Sequence, residues 1–292
     1  MNLPEFVHHA PKTLQEAFAL LSTYQRDARV LAGGTDLLVK MKHRRQVPPH
    51  VVNIKRIPGL DYVRYEEGQG LRIGALTTIE TIKGSPEVRR KYPMLHEAIS
   101  YMATIEIRNR ATLAGNVCNA SPAAENVPAL LLLGAKARIA SKNGERVVPL
   151  EEFFMGPGRT VLQPDEIVTE IQIPEPAPRS SGAYDKFSLR RMDIAVVGAA
   201  AQVTMNGGAC DDIKIVLSSV GPTALRARKA EEVLRGQAPN EELIQRAGLA
   251  AMEDSRPITD LFGTADYKRN IVGIITPRVI KQALERAGQG GS

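Results

Sequence analysis

Two glycine-bearing segments constrain this chain more than anything else in it: AGGTDL at Ala32–Leu37 and TLAGNVCNASP at Thr112–Pro122. The first follows a short apolar stretch and precedes a helical pattern, so it predicts a strand, a tight turn and a helix in close succession. Glycines at such a junction let main-chain N–H groups approach a diphosphate closely, and Thr35 and Asp36 would add side-chain hydrogen bonds. The same residues also fit a plain strand-to-helix turn that needs positive φ. The second segment crowds Thr112, Gly115, Asn116, Asn119 and Ser121 between two apolar stretches. A buried loop so rich in hydrogen-bonding side chains satisfies either itself or a ligand.

Around these segments the chain reads as one unit of short strands and helices. Leu14, Ala17, Phe18 and Leu21 fall at helical spacing and predict a helix over 13–23. Strands are predicted at Val51–Ile57 and Leu71–Leu76, with Thr77 or Thr78 as the cap of the helix that follows. Lys136–Ser141 and Arg146–Leu150 flank an Asn143–Gly144 turn and predict a hairpin. A boundary falls in the proline- and serine-rich stretch Ile173–Ala183. Beyond it, three strands are predicted at Tyr184–Arg190, Ala195–Thr204 and Asp212–Ser219, and two helical stretches at Ala224–Leu234 and Tyr267–Arg286. An antiparallel sheet backed by helices is the natural packing of that order, and the chain's 292 residues leave room for two domains.

Several chemistries are excluded. The 38 basic side chains outnumber the 32 acidic, and the run KMKHRR (Lys40–Arg45) holds part of the excess. Yet aromatic residues make up only 4% and tryptophan is absent, so stacking platforms for nucleic acid are scarce. The run reads as a solvated face or a docking surface for a partner. None of the five histidines stands at zinc-ligand spacing with Cys118 or Cys210. Those two cysteines build no disulfide framework and hold no iron–sulfur cluster unaided. No P-loop or nucleophile elbow is present, and Gly68, Gly70 and Gly74 miss the dinucleotide fingerprint by one position. The longest apolar run, Ala129–Leu133, is far short of a membrane span, and the N-terminal residues lack a signal core. A cytoplasmic location is the expectation.

VLAGGTDLL together with IRNRATLAGNVCNASPAAENVPALL resembles the FAD-binding medium subunit of the xanthine dehydrogenase and carbon monoxide dehydrogenase family of molybdenum hydroxylases. GPGRT and LQPDEIVTEIQIP within Gly156–Pro174, YDKFSLRRMDIAVVGAA at Tyr184–Ala200, and the closing segments GPTALRARKAEEVLRG and DYKRNIVGIITPRVIKQAL are similar to later stretches of the same family. The resemblance runs in order along almost the whole chain. It implies an α+β fold with a two-part N-terminal FAD domain of the vanillyl-alcohol-oxidase-like type over residues 1–176, its subdomains dividing near residue 57. A C-terminal three-stranded antiparallel sheet with helices would occupy 177–292.

The resemblance also implies site residues. Val30, Leu31 and Ala32 would lead into Gly33, Gly34, Thr35, Asp36 and Leu37, wrapping the cofactor diphosphate with main-chain N–H groups. Thr112, Leu113, Ala114, Gly115 and Asn116 would hold the other side, as a second, opposed glycine turn. Glu125 stands where the family usually places an aspartate that bonds a cofactor hydroxyl, with Ser121 or Asn126 as substitutes. Val168 matches an apolar position whose main chain touches the cofactor, and Arg159 a basic one. Lys186 matches a lysine that approaches the flavin from the C-terminal domain; a cation there would favour the reduced, anionic flavin. Arg190, Arg191 and Asp193 read as a structural ion-pair cluster at the domain junction. The implied function is electron relay within a heteromeric enzyme. Electrons would pass from a molybdenum-cofactor large subunit, through a small subunit with two [2Fe-2S] clusters, to FAD on this chain and then to an external acceptor. The expected assembly is a dimer of heterotrimers. This chain would carry no metal and no cluster of its own. A free-standing flavin oxidase and a cofactor-free scaffold are the alternative readings.

Overall fold

The strands form because β-branched and apolar residues alternate over short runs, and the sheets differ in how many of their faces are buried. The structure, a computed structural model, describes residues 2–289. A parallel three-stranded sheet runs Val7–His9, His50–Asn53, Ala28–Leu31 in spatial order. The Leu14–Tyr24 helix packs on it through Ala17, Phe18 and Leu21, and Thr13 caps it by accepting from the Glu16 N–H. A five-stranded antiparallel sheet follows, in the order Val63–Glu66, Gly70–Gly74, Ile167–Ile173, Lys136–Ser141, Gly144–Pro149. A two-residue turn, Lys142–Asn143, joins its last two strands; the hairpin is the expected one, but Gly144 pairs with Ser141 and already belongs to the strand, so the turn sits one residue earlier than Asn143–Gly144.

Between Ile79 and Leu132 the chain builds short helices, among them Pro93–Tyr101, Leu113–Asn119 and Asn126–Leu132. These bury Leu95, Ile99, Val117 and Leu130 against the five-stranded sheet. Thr78 caps the first of them by accepting from the Thr81 N–H.

The C-terminal sheet is Ser180–Phe187, Val197–Asn206 and Ala209–Ser218, extended by a two-residue fourth strand, Leu225–Arg226. Its strands are apolar on both faces, and the period of two separates them. Ala199, Ala201, Val203, Ile213, Ile215 and Leu217 face the closing helices. Tyr184, Ala200 and Val216 face the N-terminal helices and join their core. The connection into this sheet is only residues 174–179, shorter than the proline-rich stretch suggests, because Ser180–Ala183 is already strand.

Three helices close the fold: Arg228–Leu234, Glu241–Asp254 and Ala265–Gln289. The middle one is absent from the sequence reading. Its buried face is Ile244, Ala247, Gly248 and Ala251, at helical spacing but mostly small, so the stretch carries little net hydrophobicity to mark it. Gly248 is required there, since a Cβ would press on Pro277 of the last helix at 2.6 Å.

Candidate functional site

A cleft of about 610 Å³ opens between the parallel sheet and the five-stranded sheet. That is an ordinary size for a cofactor site. The end of the Ala28–Leu31 strand and the glycine turn after it form one wall. The Leu113–Asn119 helix forms a second wall, and Arg159, Thr160, Ile167 and Val168 a third.

The first glycine segment behaves as a ligand-ready turn. Gly34 sits at φ +85, and Asp36 precedes the Leu37–Lys42 helix. At Gly33 a Cβ would collide with the carbonyl oxygen of Arg110 and lie 3.0 Å from Ala111 Cα. The two glycine segments, far apart in sequence, therefore abut backbone to backbone, and only glycine fits at the seam. Among the described residues, the N–H groups of Gly33, Gly34, Thr35 and Asp36 donate to no protein acceptor. Main-chain donors left free on a concave wall suit an anionic group.

The second segment corrects the expectation of a second glycine turn. Thr112 is the N-cap of the Leu113–Asn119 helix, its Oγ1 accepting from the Gly115 N–H at 3.0 Å. Thr112, Ala114, Gly115 and Asn116 line the cleft from the helix's first turn, whereas Leu113 points into the core and is fully buried. The [ST]-x-x-G spacing carries the signal, because threonine caps helices as readily as it lines loops.

Of the remaining candidates, Val30, Leu31, Ala32, Leu37, Arg159 and Val168 also line the cleft. The strand register shifts between Val168 and Glu170, loosening the ladder where it borders the cleft. Ser121, Glu125 and Lys186 do not line it. The Lys186 Nζ is buried, bonded to Glu125 Oε1 at 3.0 Å and to the Asp193 carbonyl at 2.7 Å. Glu125 thus answers a lysine of the C-terminal sheet, and Ser121 Oγ accepts from the Ala123 N–H in its own turn. Arg190, Arg191 and Asp193 form no ion pair with one another among the described residues. Arg191 lies over the Tyr101 ring instead, 5.3 Å from its centroid.

Electrostatically the cleft favours an anion. Arg26, Arg29, Lys40 and Arg159 line it, against Asp36 and Glu166. Glu166 is answered by Arg146 at 2.7 Å. Asp36 stays at the open mouth, yet desolvation lifts its carboxyl above the usual range while Lys40 pulls the other way. Lys40, read from the sequence as part of a solvated basic run, in fact turns into the cleft and bonds Asn119; Lys42, Arg44 and Arg45 are exposed. Cys118 also lines the cleft, and burial pushes its thiol up to about 12, so it carries no nucleophilic character. No group of three or more metal-ligating side chains is assembled among the described residues.

Residues 4–176 match the family described as "FAD binding domain in molybdopterin dehydrogenase", and residues 182–283 match the "CO dehydrogenase flavoprotein C-terminal domain". The chain is 37% identical over 283 residues to the carbon monoxide dehydrogenase medium chain of Hydrogenophaga pseudoflava, covering 97% of this chain and 98% of that one. It is 30% identical over 283 residues to the xanthine dehydrogenase FAD-binding subunit of Escherichia coli O157:H7, covering 96% and 97%. Among solved structures, carbon monoxide dehydrogenase from Hydrogenophaga pseudoflava lacking the Mo-pyranopterin moiety superposes with a TM-score of 0.94 at 37% identity, covering 98% of this chain and 99% of that one. Quinoline 2-oxidoreductase from Pseudomonas putida 86 gives 0.93 at 33% identity, covering 98% and 100%. With matches of this kind running through both halves of the chain, the protein belongs to the FAD-binding medium-subunit family of the carbon monoxide dehydrogenase and xanthine dehydrogenase enzymes.

Proposed function

We propose that this chain holds FAD in the cleft and relays electrons for a heteromeric molybdenum hydroxylase. The observation that carries the reading is the seam at Gly33: two glycine segments meet backbone to backbone and leave the N–H groups of Gly33–Asp36 free on a wall of net positive charge. Those N–H groups would take the diphosphate. Thr112, Ala114, Gly115 and Asn116 would bear on the cofactor from the facing helix, with Val30–Ala32, Leu37 and Val168 as the apolar sides and Arg159 at the rim. FAD supplies one-electron acceptance and two-electron delivery, which suits a junction between single-electron carriers and a two-electron acceptor. The chain's own residues bind and orient.

The partners in this reading are a molybdenum-cofactor large subunit and a small subunit with two [2Fe-2S] clusters, in a dimer of heterotrimers in the cytoplasm. No helix among the described residues is long and apolar enough to cross a membrane. Residues 1–176 would form the FAD domain and 177–292 the C-terminal domain. The test is direct: the purified chain, alone and co-expressed with the products of its neighbouring genes, is examined by visible absorbance and metal analysis. A yellow chain that co-purifies with molybdenum and iron supports the reading. A colourless chain that takes up no added FAD overturns it.

A further inference from the structure

Asn119 joins the two glycine segments in a way that neither can manage alone. It is the last residue of the Leu113–Asn119 helix, and its carboxamide is bonded at one end to the other segment and at the other end to the helix that segment opens. Nδ2 donates to Asp36 Oδ1 at 3.0 Å, and Oδ1 accepts from Lys40 Nζ at 2.5 Å. All three residues line the cleft. A carboxamide can donate to a carboxylate from its nitrogen and accept from an ammonium at its oxygen at once. The neighbouring contact, Gly33 against Arg110, contains no hydrogen bond among the described residues.

The helix end is itself held. Ala120 reverses the chain at φ 48, and its carbonyl accepts from the Gly158 N–H at 2.9 Å. The first segment, by contrast, is a turn followed by a helix of six residues. A bond between the two therefore fixes the weaker element on the stronger. It also deals with a charge. Asp36 is the acid of the segment whose N–H groups face the cleft, and an unanswered carboxylate there would repel an anionic guest.

We propose that Asn119 is a positioning residue for cofactor binding: its carboxamide clasps Asp36 and Lys40, setting the first glycine segment in register with the Leu113–Asn119 helix and holding the Asp36 carboxylate on an N–H donor. This rests on the reading of the cleft as the FAD site. Loss of the clasp lowers the fraction of chains whose two walls are in register, and the apparent affinity falls by that fraction.

The test uses the full chain, stripped of flavin and titrated with FAD by fluorescence. Asn119→Leu removes both bonds and should raise Kd about tenfold. Asn119→Asp keeps the Lys40 contact but sets a carboxylate against Asp36, and should raise Kd about thirtyfold or more. Adding Asp36→Asn to Asn119→Asp restores a carboxamide–carboxylate pair in reverse order. That double variant should return to within about threefold of wild type, a rescue that a merely space-filling role would not produce. Wild-type affinity in Asn119→Leu, or a double variant that binds no better than Asn119→Asp, overturns the proposal. If Asn119→Leu fails to fold, the other two variants decide. Hydrogen exchange on the wild-type chain separates this failure from failure of the site reading. Where FAD slows exchange over residues 33–37 and 113–116 but the variants bind as wild type, only the clasp is wrong. Where FAD slows neither segment, the cleft is not the FAD site and both readings fall.

Discussion

Replacing Lys186 with methionine isolates the buried pair that ties the two halves of the chain together. Methionine keeps the length and most of the volume of the lysine stem and removes only the ammonium. In the native protein that ammonium has no exposed surface, and the Glu125 side chain is 11% exposed, so solvent screens the pair very little. The variant leaves a buried carboxylate without its cation and the Asp193 carbonyl without its donor. Breaking one partner of such a pair costs about 3–5 kcal/mol. At roughly 2 °C per kcal/mol for a chain of this size, the midpoint of thermal unfolding should fall by roughly 6–10 °C, read by far-ultraviolet circular dichroism on the flavin-free chain. Converting Glu125 to leucine in the same variant removes the stranded charge and leaves only the Asp193 carbonyl unanswered, a loss of about 1–3 kcal/mol, so the double variant should melt above Lys186→Met. Two results refute the reasoning: a Lys186→Met chain that melts within about 2 °C of wild type, or a double variant less stable than either single one.

Gly33→Ala drives a Cβ into the Arg110 carbonyl, so it should cost about 1–3 kcal/mol of stability and raise Kd for FAD more than about tenfold, seen as flavin lost on gel filtration. Acidification should destabilise the fold through His96, whose imidazolium is disfavoured by burial and then by Arg89 and Lys83. The unfolded chain then binds the extra proton, stability falls as pH drops through 6.5, and His96→Gln should flatten the difference in melting temperature between pH 5.5 and 7.5. His9 shifts the same way, so the slope is reduced and not abolished. Burial pushes the thiols of Cys118 and Cys210 up to about 12 and about 11, so a disulfide reagent at pH 8 should label neither until denaturant is added. Rapid stoichiometric labelling of the folded chain would contradict that placement.

How much of this was legible in the sequence depends on the distance over which each feature acts. The C-terminal strands were legible because Val and Ala fill five of the seven positions of Val197–Val203, and a strand buried on both faces reads as a near-continuous apolar run. Which face met which core was not, since both faces are apolar. The Glu241–Asp254 helix escaped because its packing face is small, with Ile244 beside Ala247, Gly248 and Ala251, and the rest of the helix is polar enough to cancel that signal. The short helices between Ile79 and Leu132 mostly hold four to nine residues, too few turns for a period to stand out. At the site, the glycine turn at Ala32–Leu37 was legible as local chemistry. The pairings Gly33 with Arg110, Asn119 with Asp36, and Glu125 with Lys186 were not, because each joins segments more than sixty residues apart. Glu125 shows the consequence. Resemblance directed it to the cofactor, whereas the fold sets its carboxylate on Lys186.

The same pairings explain what the C-terminal part does for a cleft to which it gives no lining residue. Among the described residues, every one that lines the cleft lies at or before Val168. Yet the segment that leaves the Leu113–Asn119 helix is fastened on its way out by the C-terminal sheet: the Ser219 N–H donates to the Pro122 carbonyl at 2.8 Å, and Lys186 holds Glu125. Further along, Arg286 of the last helix forms a pair of hydrogen bonds to Glu97 and donates to the Gly182 carbonyl, fixing the Pro93–Tyr101 helix on the same sheet. Tyr184, Ala200 and Val216 then complete a core that is continuous with the N-terminal helices. The helix that carries Thr112–Asn116 is thus positioned at one end by Gly33 of the glycine turn and beyond the other by a sheet in the second half of the chain. A cleft wall built this way has its register set by both halves at once, and the second half acts on the cleft through position alone.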